Sequence, residues 1–170
     1  KLFSGKKDDS SLAESFRILR TNIGYFFKKF PKKNSAKIIM VTSTKENEGK
    51  TFCAINLAIS YAVLNKKVLL IDTNFRNPKV LDYLKTERKN EIGLSDYLEE
   101  KIENYSKIIS SFKIDKTVLD ILTTGEIPSA PAELLANEKL ENLIDSLKDE
   151  YDYIVLDTAP TYLFTDTLLI

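Results

Sequence analysis

Histidine is absent from this sequence of 170 residues, and cysteine occurs once, at Cys53. Without histidine, no imidazole can serve as a general base, a nucleophile or a metal ligand. With a single cysteine, no disulfide can form within the chain, and we expect Cys53 to be a small core residue. No apolar run approaches the about 20 residues of a membrane-spanning helix, and no signal peptide is recognisable.

Charge is balanced over the whole chain but not along it. The 25 basic residues equal the 25 acidic ones, yet residues 1–50 carry 12 Lys and Arg against 5 Asp and Glu, while residues 51–170 carry 13 against 20. A basic leading segment fits three kinds of partner: anionic lipid, nucleic acid, or the acidic remainder of a neighbouring copy. The chain starts with lysine, so we expect it to be a piece of a longer protein.

The segment 38–54, IIMVTSTKENEGKTFCA, has the pattern of a phosphate-binding loop. An apolar strand-like run leads into a polar loop that closes on Gly49-Lys50-Thr51, and an apolar pattern at helical spacing follows. In such a loop the Lys50 ammonium and the first helical N–H groups face phosphates, and the Thr51 hydroxyl binds Mg²⁺. The predicted nucleotide-binding residues are Lys45, Glu46, Asn47, Glu48, Gly49, Lys50, Thr51 and Phe52.

The loop departs from the pattern G-x-x-x-x-G-K-[ST], because Thr44 stands where the first glycine belongs. Lys45 fits a variant loop with a second lysine, but Glu46 and Asn47 occupy positions where glycine is expected. Asn tolerates the left-handed backbone, so we predict that Asn47 makes the loop turn. The alternative is a strand–helix connection that contains Gly-Lys-Thr by chance. The flanking strand and helix patterns favour the phosphate site.

Two other apolar runs end in aspartate, KVLLID at 67–72 and YDYIVLD at 151–157. Such runs are typical of parallel strands buried on both faces, and ligands bind at the carboxyl ends of these strands. Asp72 and Asp157 are therefore predicted to lie beside the loop, where a carboxylate can hold Mg²⁺ or accept a proton from a nucleophile. Either aspartate alone would be assigned as a helix cap or a turn residue.

Apolar periodicity predicts alternating helices and strands, with right-handed crossovers between parallel strands. Helices are expected over 10–30, 52–62, 78–84, 93–98 and 131–147, and strands over 38–41, 67–72, 118–122 and 151–157. The predicted fold class is α/β, a P-loop NTPase-like, mostly parallel sheet flanked by helices. At this length one domain over 1–170 is expected.

The ordered set of motifs resembles that of bacterial tyrosine kinases, the P-loop kinases of capsule and exopolysaccharide export that are related to MinD/ParA-type ATPases. GKT at 49–51, VLLIDTNFR at 68–76 and YIVLDTAP at 153–160 are similar to the family's Walker A, Walker A′ and Walker B motifs. ESFRILR at 14–20 is similar to its E-x-x-R-x-x-R helix. The resemblance extends over nearly the whole chain.

The resemblance implies an ATP-dependent protein-tyrosine autokinase domain that uses Mg²⁺ and regulates polysaccharide polymerisation and export. By this resemblance Lys50, Asp72 and Asp157 are the catalytic residues. Lys50 would neutralise phosphate charge, and Asp72 would act near the metal or assist the attacking tyrosine hydroxyl. Asp157 would hold the metal through water, so the implied metal site consists of Thr51, Asp72 and Asp157.

The resemblance also implies assembly. In relatives the E-x-x-R-x-x-R helix packs on a neighbouring subunit, so Glu14, Arg17 and Arg20 are expected to form an interface in a ring-like homo-oligomer. The alternative is a solvated helix face with (i, i+3) ion pairs. The other side of this helix is expected to face the core and contains Leu12, Phe16, Leu19 and Ile23.

Further partners follow from the same resemblance. They are the tyrosine tail of a neighbouring subunit and the polysaccharide export machinery. No binding of nucleic acid is expected. In such exporters the kinase domain often follows a transmembrane region. We therefore expect membrane attachment through a region outside this chain, at the cytoplasmic face of the bacterial inner membrane.

Three departures leave alternatives open. Asn74 stands where Walker A′ usually has a second aspartate, and Asn47 replaces a loop glycine. The family domain normally continues beyond Ile170 with more sheet, an adenine-side pocket and a tyrosine-rich tail, and the 8 tyrosines here form no cluster. The first alternative is a MinD/ParA-like ATPase switch. The second is a non-catalytic assembly module with a degraded nucleotide site, marked by Thr44, Asn47 and Asn74.

Overall fold

The computed structural model describes residues 2–5, 7–29, 35–86 and 92–162. Its elements are α1 (Ser11–Lys29), β1 (Lys37–Val41), α2 (Lys50–Ala62), β2 (Val68–Asp72), α3 (Val80–Leu84), α4 (Leu94–Leu98), a short 3-10 helix (Tyr105–Lys107), β3 (Ile109–Ile114), β4 (Thr117–Leu122), α5 (Pro131–Leu135), α6 (Glu138–Leu147) and β5 (Tyr153–Asp157). Of these described helices, none is long and apolar enough to cross a membrane. The predicted last residue of the first helix, at position 30, lies outside the described residues, as do residues 163–170.

The described strands form one five-stranded sheet in the order β1-β5-β2-β4-β3. The pairs β1–β5, β5–β2 and β2–β4 are parallel, whereas β3 pairs antiparallel with β4. The predicted α/β class with a mostly parallel sheet is thus confirmed. Because β5 lies between β1 and β2, the carboxyl ends of these three strands meet at one edge.

Two parts of the sequence fold differently from the prediction. The strand β3 was not predicted, because its sequence ISSFKI alternates only in part and most of it stays accessible at the sheet edge. It joins β4 through a tight turn at Asp115, whose φ of 55° is left-handed. The predicted single helix over 131–147 is wrong. It divides into α5 and α6 because the side chain of Asn137 accepts a hydrogen bond from the Lys139 N–H and caps α6.

The core consists of two apolar layers, one on each face of the sheet. Alternate residues of β2 enter opposite layers, Leu70 on one side and Leu69 and Ile71 on the other. The first layer is formed with α1 and α2, and the second with α4, α5 and α6. The helix that follows the phosphate loop is therefore fixed against the sheet along its length.

The helix α1 buries a narrower face than predicted. Phe16 is buried, and Leu12 and Ile23 pack against the first layer. Leu19 is 40% exposed, so its predicted place in the core is wrong. At the end of the helix Tyr25 is also exposed. The apolar contact between α1 and the domain is thus concentrated near the helix start and along one row of side chains.

Candidate nucleotide-binding site

The loop between β1 and α2 has the backbone of a phosphate-binding loop. Asn47 has a φ of 60° and Gly49 a φ of 90°, so both are left-handed. The predicted loop turn at Asn47 is confirmed. The helix α2 starts at Lys50 without a side-chain cap at Gly49. Its first N–H groups are therefore oriented toward the space where a phosphate would bind.

The loop is held by its own side chains and by the segment after β5. The Lys45 backbone N–H donates a hydrogen bond of 2.9 Å to the Glu48 carboxylate, and the Ser43 hydroxyl donates to the Lys45 carbonyl. The Thr161 N–H donates to the Ser43 carbonyl over 2.9 Å. Glu48 therefore supports the shape of the loop.

Two carboxylates lie at the sheet edge beside this loop. Asp72 ends β2 and Asp157 ends β5, and the two residues pair in register. Val41, at the end of β1, pairs with Asp157. The exposed fraction is 2% for Asp72 and 0% for Asp157. The predicted meeting of the loop with these two strand ends is thus confirmed.

The two carboxylates are in an environment that favours a cation. Burial raises the pKa of Asp157 to about 6, and the Thr51 hydroxyl and the Lys50 ammonium act in the opposite direction. Burial, followed by the charge of Asp157, raises the pKa of Asp72 well above its ordinary value, against the N–H groups of Asn74 and Val80 and against Lys50. A bound cation would lower the cost of ionising both groups.

Unpartnered oxygen atoms identify where a cation fits. Within the described part of the chain, neither carboxylate oxygen of Asp157 accepts a hydrogen bond of ordinary geometry, although the Thr51 hydroxyl lies nearby, and neither does the buried Oδ1 of Asn74. Thr51, which is buried, supplies a hydroxyl beside them. Mg²⁺ takes such oxygen ligands and is usually bound by one or two carboxylates together with substrate phosphates. Among the described residues there is no group of three His, Cys, Asp or Glu that could hold a metal ion.

Asn74 fixes the loop after β2 and keeps one oxygen available. Its backbone N–H donates a hydrogen bond of 3.1 Å to Asp72 Oδ1, and its Nδ2 donates one of 2.9 Å to the Asn77 carbonyl. The amide nitrogen thus performs a structural task that a carboxylate could not, since a carboxylate has no donor. The departure from the family's second aspartate therefore has a local physical basis.

A cleft of about 140 Å³ opens between the phosphate loop and the loop after β2. Its lining includes the basic residues Lys50, Arg76 and Lys79 and the acidic residue Glu46. Sequence reasoning did not include Lys79 in the site. The sequence offered one signal for it, because Lys79 lies three positions after Arg76 in the same loop. Its ammonium donates a hydrogen bond of 3.1 Å to Asn47 Oδ1 and so connects the two loops.

Phe52 is placed differently from the other predicted loop residues. Its ring makes an edge contact with Phe16 at a centroid distance of 6.2 Å and a tilted contact with Tyr83 at 6.1 Å. Phe52 therefore packs α2 against α1 and α3. The role of its side chain in nucleotide binding stays a prediction.

The residues of the predicted interface on α1 contact their own chain. Arg17 pairs with Glu14 at 3.1 Å and donates a hydrogen bond of 2.7 Å to the Asp8 carbonyl. The guanidinium of Arg17 also lies 5.5 Å from the centre of the Phe3 ring. Arg20 donates a hydrogen bond to the Ser60 carbonyl of α2. The (i, i+3) ion pair of the alternative is thus present between Glu14 and Arg17, but the two arginines also contact other parts of the domain. Their interface role stays a prediction.

The geometry defines the class of the protein. A left-handed glycine before Lys50 and Thr51 at a helix start, beside two buried carboxylates at neighbouring strand ends, forms a P-loop nucleotide-binding site. Residues 36–170 match the family model described as an AAA domain. The chain belongs to this family and, within it, to the bacterial tyrosine-protein kinases.

The particular relatives are kinases. The chain is 33% identical over 165 residues to the putative tyrosine-protein kinase CapB of Staphylococcus aureus, covering 97% of this chain. It is 34% identical over 158 residues to the tyrosine-protein kinase YwqD of Bacillus subtilis, covering 93% of this chain. The chain spans 68% of CapB, 63% of YwqD and 21% of the tyrosine-protein kinase Etk of Escherichia coli.

Solved structures agree with this relationship. The kinase domain of the Escherichia coli tyrosine kinase ETK superposes with a TM-score of 0.87 at 29% identity, covering 99% of this chain and 63% of that one. The chimerical protein CapA2B2 superposes with a TM-score of 0.81 at 32% sequence identity, covering 96% of this chain and 68% of that one. The septum site-determining protein MinD of Pyrococcus horikoshii, complexed with Mg-ADP, superposes with a TM-score of 0.65 at 26% sequence identity. The match covers 79% of this chain and 53% of that one.

Proposed function

We propose that this chain is the nucleotide-binding part of an ATP-dependent protein-tyrosine autokinase that regulates capsule or exopolysaccharide polymerisation and export. The observation that carries the proposal is the in-register pair Asp72 and Asp157, on which Lys50 acts and beside which Thr51 lies. The kinase relatives and the match to the ETK kinase domain support it.

The chemistry requires positioning and charge neutralisation more than covalent help. Lys50 and the first N–H groups of α2 bind the phosphates, and Thr51, Asp157 and the oxygen of Asn74 are the ligands available to Mg²⁺. When bound, Mg²⁺ neutralises phosphate charge and orients the phosphates. Asp72 has a pKa above its ordinary value, so it is suited to accept the proton of an attacking tyrosine hydroxyl.

The partners and the location are also part of the proposal. The protein works as a ring-like homo-oligomer in which a subunit phosphorylates the tyrosine tail of its neighbour. It acts with polysaccharide export machinery at the cytoplasmic face of the bacterial inner membrane, to which a region outside this chain attaches it. The names of CapB and of the CapA2B2 chimera support a capsule partner. Binding of nucleic acid is not part of the proposed function.

Incubation of the full-length protein with γ-labelled ATP and Mg²⁺ tests the activity. The autokinase produces labelled phosphotyrosine, which a Lys50→Met variant should not. Free phosphate alone would instead identify an ATPase switch, which the likeness to MinD with Mg-ADP favours as the second candidate. Neither product, in a folded protein, would identify a non-catalytic assembly module.

A further inference from the structure

Lys79 is a basic residue of the cleft that neither the motifs nor the resemblance assigns. It directly precedes α3, is half-buried, and lines the same cleft as the start of α2. The Lys79 ammonium donates to Asn47 Oδ1 over 3.1 Å. This contact exists because an asparagine stands at a left-handed loop position, where a glycine would offer no side-chain acceptor.

The partner of Lys79 is a neutral amide, which is a weak partner for an ammonium. A phosphate oxygen carries negative charge, so a hydrogen bond from the ammonium to phosphate adds an attraction between opposite charges that the bond to the amide lacks. A nucleoside triphosphate in this cleft would bring several negative charges to the same side chains. Lys79 would then gain by exchanging the Asn47 amide for a phosphate oxygen, and the Asn47 side chain would return to solvent.

The position of Lys79 indicates which phosphate it would contact. Lys50 and Thr51 begin α2 on one side of the cleft, where the loop N–H groups hold the inner phosphates. Lys79 lines the cleft from the loop that follows Asp72, together with Asn74, whose backbone N–H donates to Asp72. Because Asp72 is the proposed acceptor of the tyrosine proton, a phosphate bound by this loop would be the terminal one.

We propose that Lys79 binds the terminal phosphate of a nucleoside triphosphate, so that the site distinguishes a triphosphate from a diphosphate. In the nucleotide-free protein Asn47 holds the Lys79 side chain in position for this contact. The inference rests on the proposed function, because it requires a nucleotide in the cleft. It adds a specificity residue that lies outside the phosphate loop.

The test measures the affinity of the full-length protein for Mg²⁺ with ADP and with a non-hydrolysable ATP analogue. Lys79→Met should weaken binding of the ATP analogue about tenfold, as expected for one lost charge-assisted hydrogen bond at a partly accessible site. Binding of ADP should change by less than about twofold. Lys79→Arg should restore most of the preference for the triphosphate. Lys116→Met, in the β3–β4 turn, is the matched control and should leave both affinities unchanged.

The outcomes separate this inference from the proposed function. If Lys50→Met abolishes binding but Lys79→Met binds both nucleotides as the parent does, the role of Lys79 is wrong and the nucleotide site stands. Equal losses for ADP and the ATP analogue would also overturn it. If the parent binds neither nucleotide, both proposals fail.

A second variant tests the exchange of partners. Asn47→Gly removes the amide partner and keeps the left-handed turn, so adding Lys79→Met to this variant should still weaken binding of the ATP analogue more than binding of ADP. If Lys79→Met causes no further loss of ATP-analogue affinity in the Asn47→Gly background, Asn47, and not a phosphate, is the working partner of Lys79. That result would overturn the inference.

Discussion

Asp72 and Asp157 are register partners at the ends of the neighbouring parallel strands β2 and β5. Both are buried, and Lys50 acts on the pKa values of both. Such a pair is costly in the nucleotide-free protein, because each ionised carboxylate disfavours ionisation of the other. A bound cation lowers this cost, so the stability of the protein should depend on both pH and cation binding.

Asp157→Asn should reduce the pH dependence of stability. Burial raises the pKa of Asp157 from 3.8 to about 6, so the folded state retains a proton that the unfolded state releases in this range. The free energy of unfolding of the parent should therefore fall as pH rises from 3.8 to about 6 and stay lower above it. Over this range the variant should gain on the order of 3 kcal/mol over the parent.

Urea unfolding of the nucleotide-free protein measures this effect at several pH values from about 3.5 to about 7.5. This range includes the unfolded pKa of Asp157, 3.8, and its folded pKa of about 6. Asp149→Asn is the matched control, because Asp149 is exposed. A difference between Asp157→Asn and the parent that stays constant over the pH range would contradict the prediction.

Asn74→Asp should destabilise the nucleotide-free protein by about 1–3 kcal/mol. The substitution removes the donor to the Asn77 carbonyl and adds a carboxylate next to Asp72. Saturating Mg²⁺ and ATP should reduce this deficit, and phosphotransfer should then be kept or raised, since a carboxylate is restored at the metal edge. Thermal unfolding with and without Mg²⁺ and ATP measures the deficit, and Asn142→Asp on the exposed side of α6 is the control. A deficit that the ligands do not reduce would exclude Asn74 from the metal site.

Arg20→Ala should lower the free energy of unfolding by about 1–2 kcal/mol. The guanidinium donates to the Ser60 carbonyl near the end of α2, and its loss leaves that acceptor without its charged partner. Glu14→Gln should change stability by less than about 0.5 kcal/mol, because exposed pairs contribute little. Chemical denaturation of the two variants compares them, and equal effects would contradict a role of Arg20 in packing α1 on α2.

Self-association should be weakened when Arg17 and Arg20 are both replaced by alanine. The two arginines also hold α1 to its own domain, so a loss of assembly has to be separated from a loss of stability. Glu14→Lys provides this separation, because Glu14 is exposed and its replacement reverses a charge without removing a core contact. Light scattering of full-length protein in detergent should show weaker assembly for both variants. Assembly equal to that of the parent in both would leave these residues without an interface role.

The parts of the fold that depend on local sequence patterns could be predicted from the sequence. The strands that end at Asp72 and Asp157 were predictable, because strands buried on both faces require continuous apolar runs. The turn at Asn47 was predictable from the tolerance of asparagine for a left-handed backbone. These two strands and this turn position the residues of the nucleotide-binding site.

The remaining parts depend on tertiary contacts. The strand β3 has few apolar residues, and its turn at Asp115 contains no glycine. The break before α6 depends on the side chain of Asn137 competing with the helical backbone. Lys79 joins the site only because the loop after β2 folds back over the phosphate loop. Propensity contains none of this information, and the spacing gives only the nearness of Lys79 to Arg76 in the sequence.

The most direct test of the nucleotide site is the affinity of full-length protein for Mg²⁺ and ATP, measured by calorimetry for the parent, Lys50→Met and Asp157→Asn. The parent should bind, and Lys50→Met should lose this binding. In Asp157→Asn the affinity should depend less on Mg²⁺, because one of the metal's oxygen ligands is replaced by an amide. Lys116→Met should bind as the parent does. Unchanged affinity in the Lys50→Met variant would contradict the assignment of the nucleotide site.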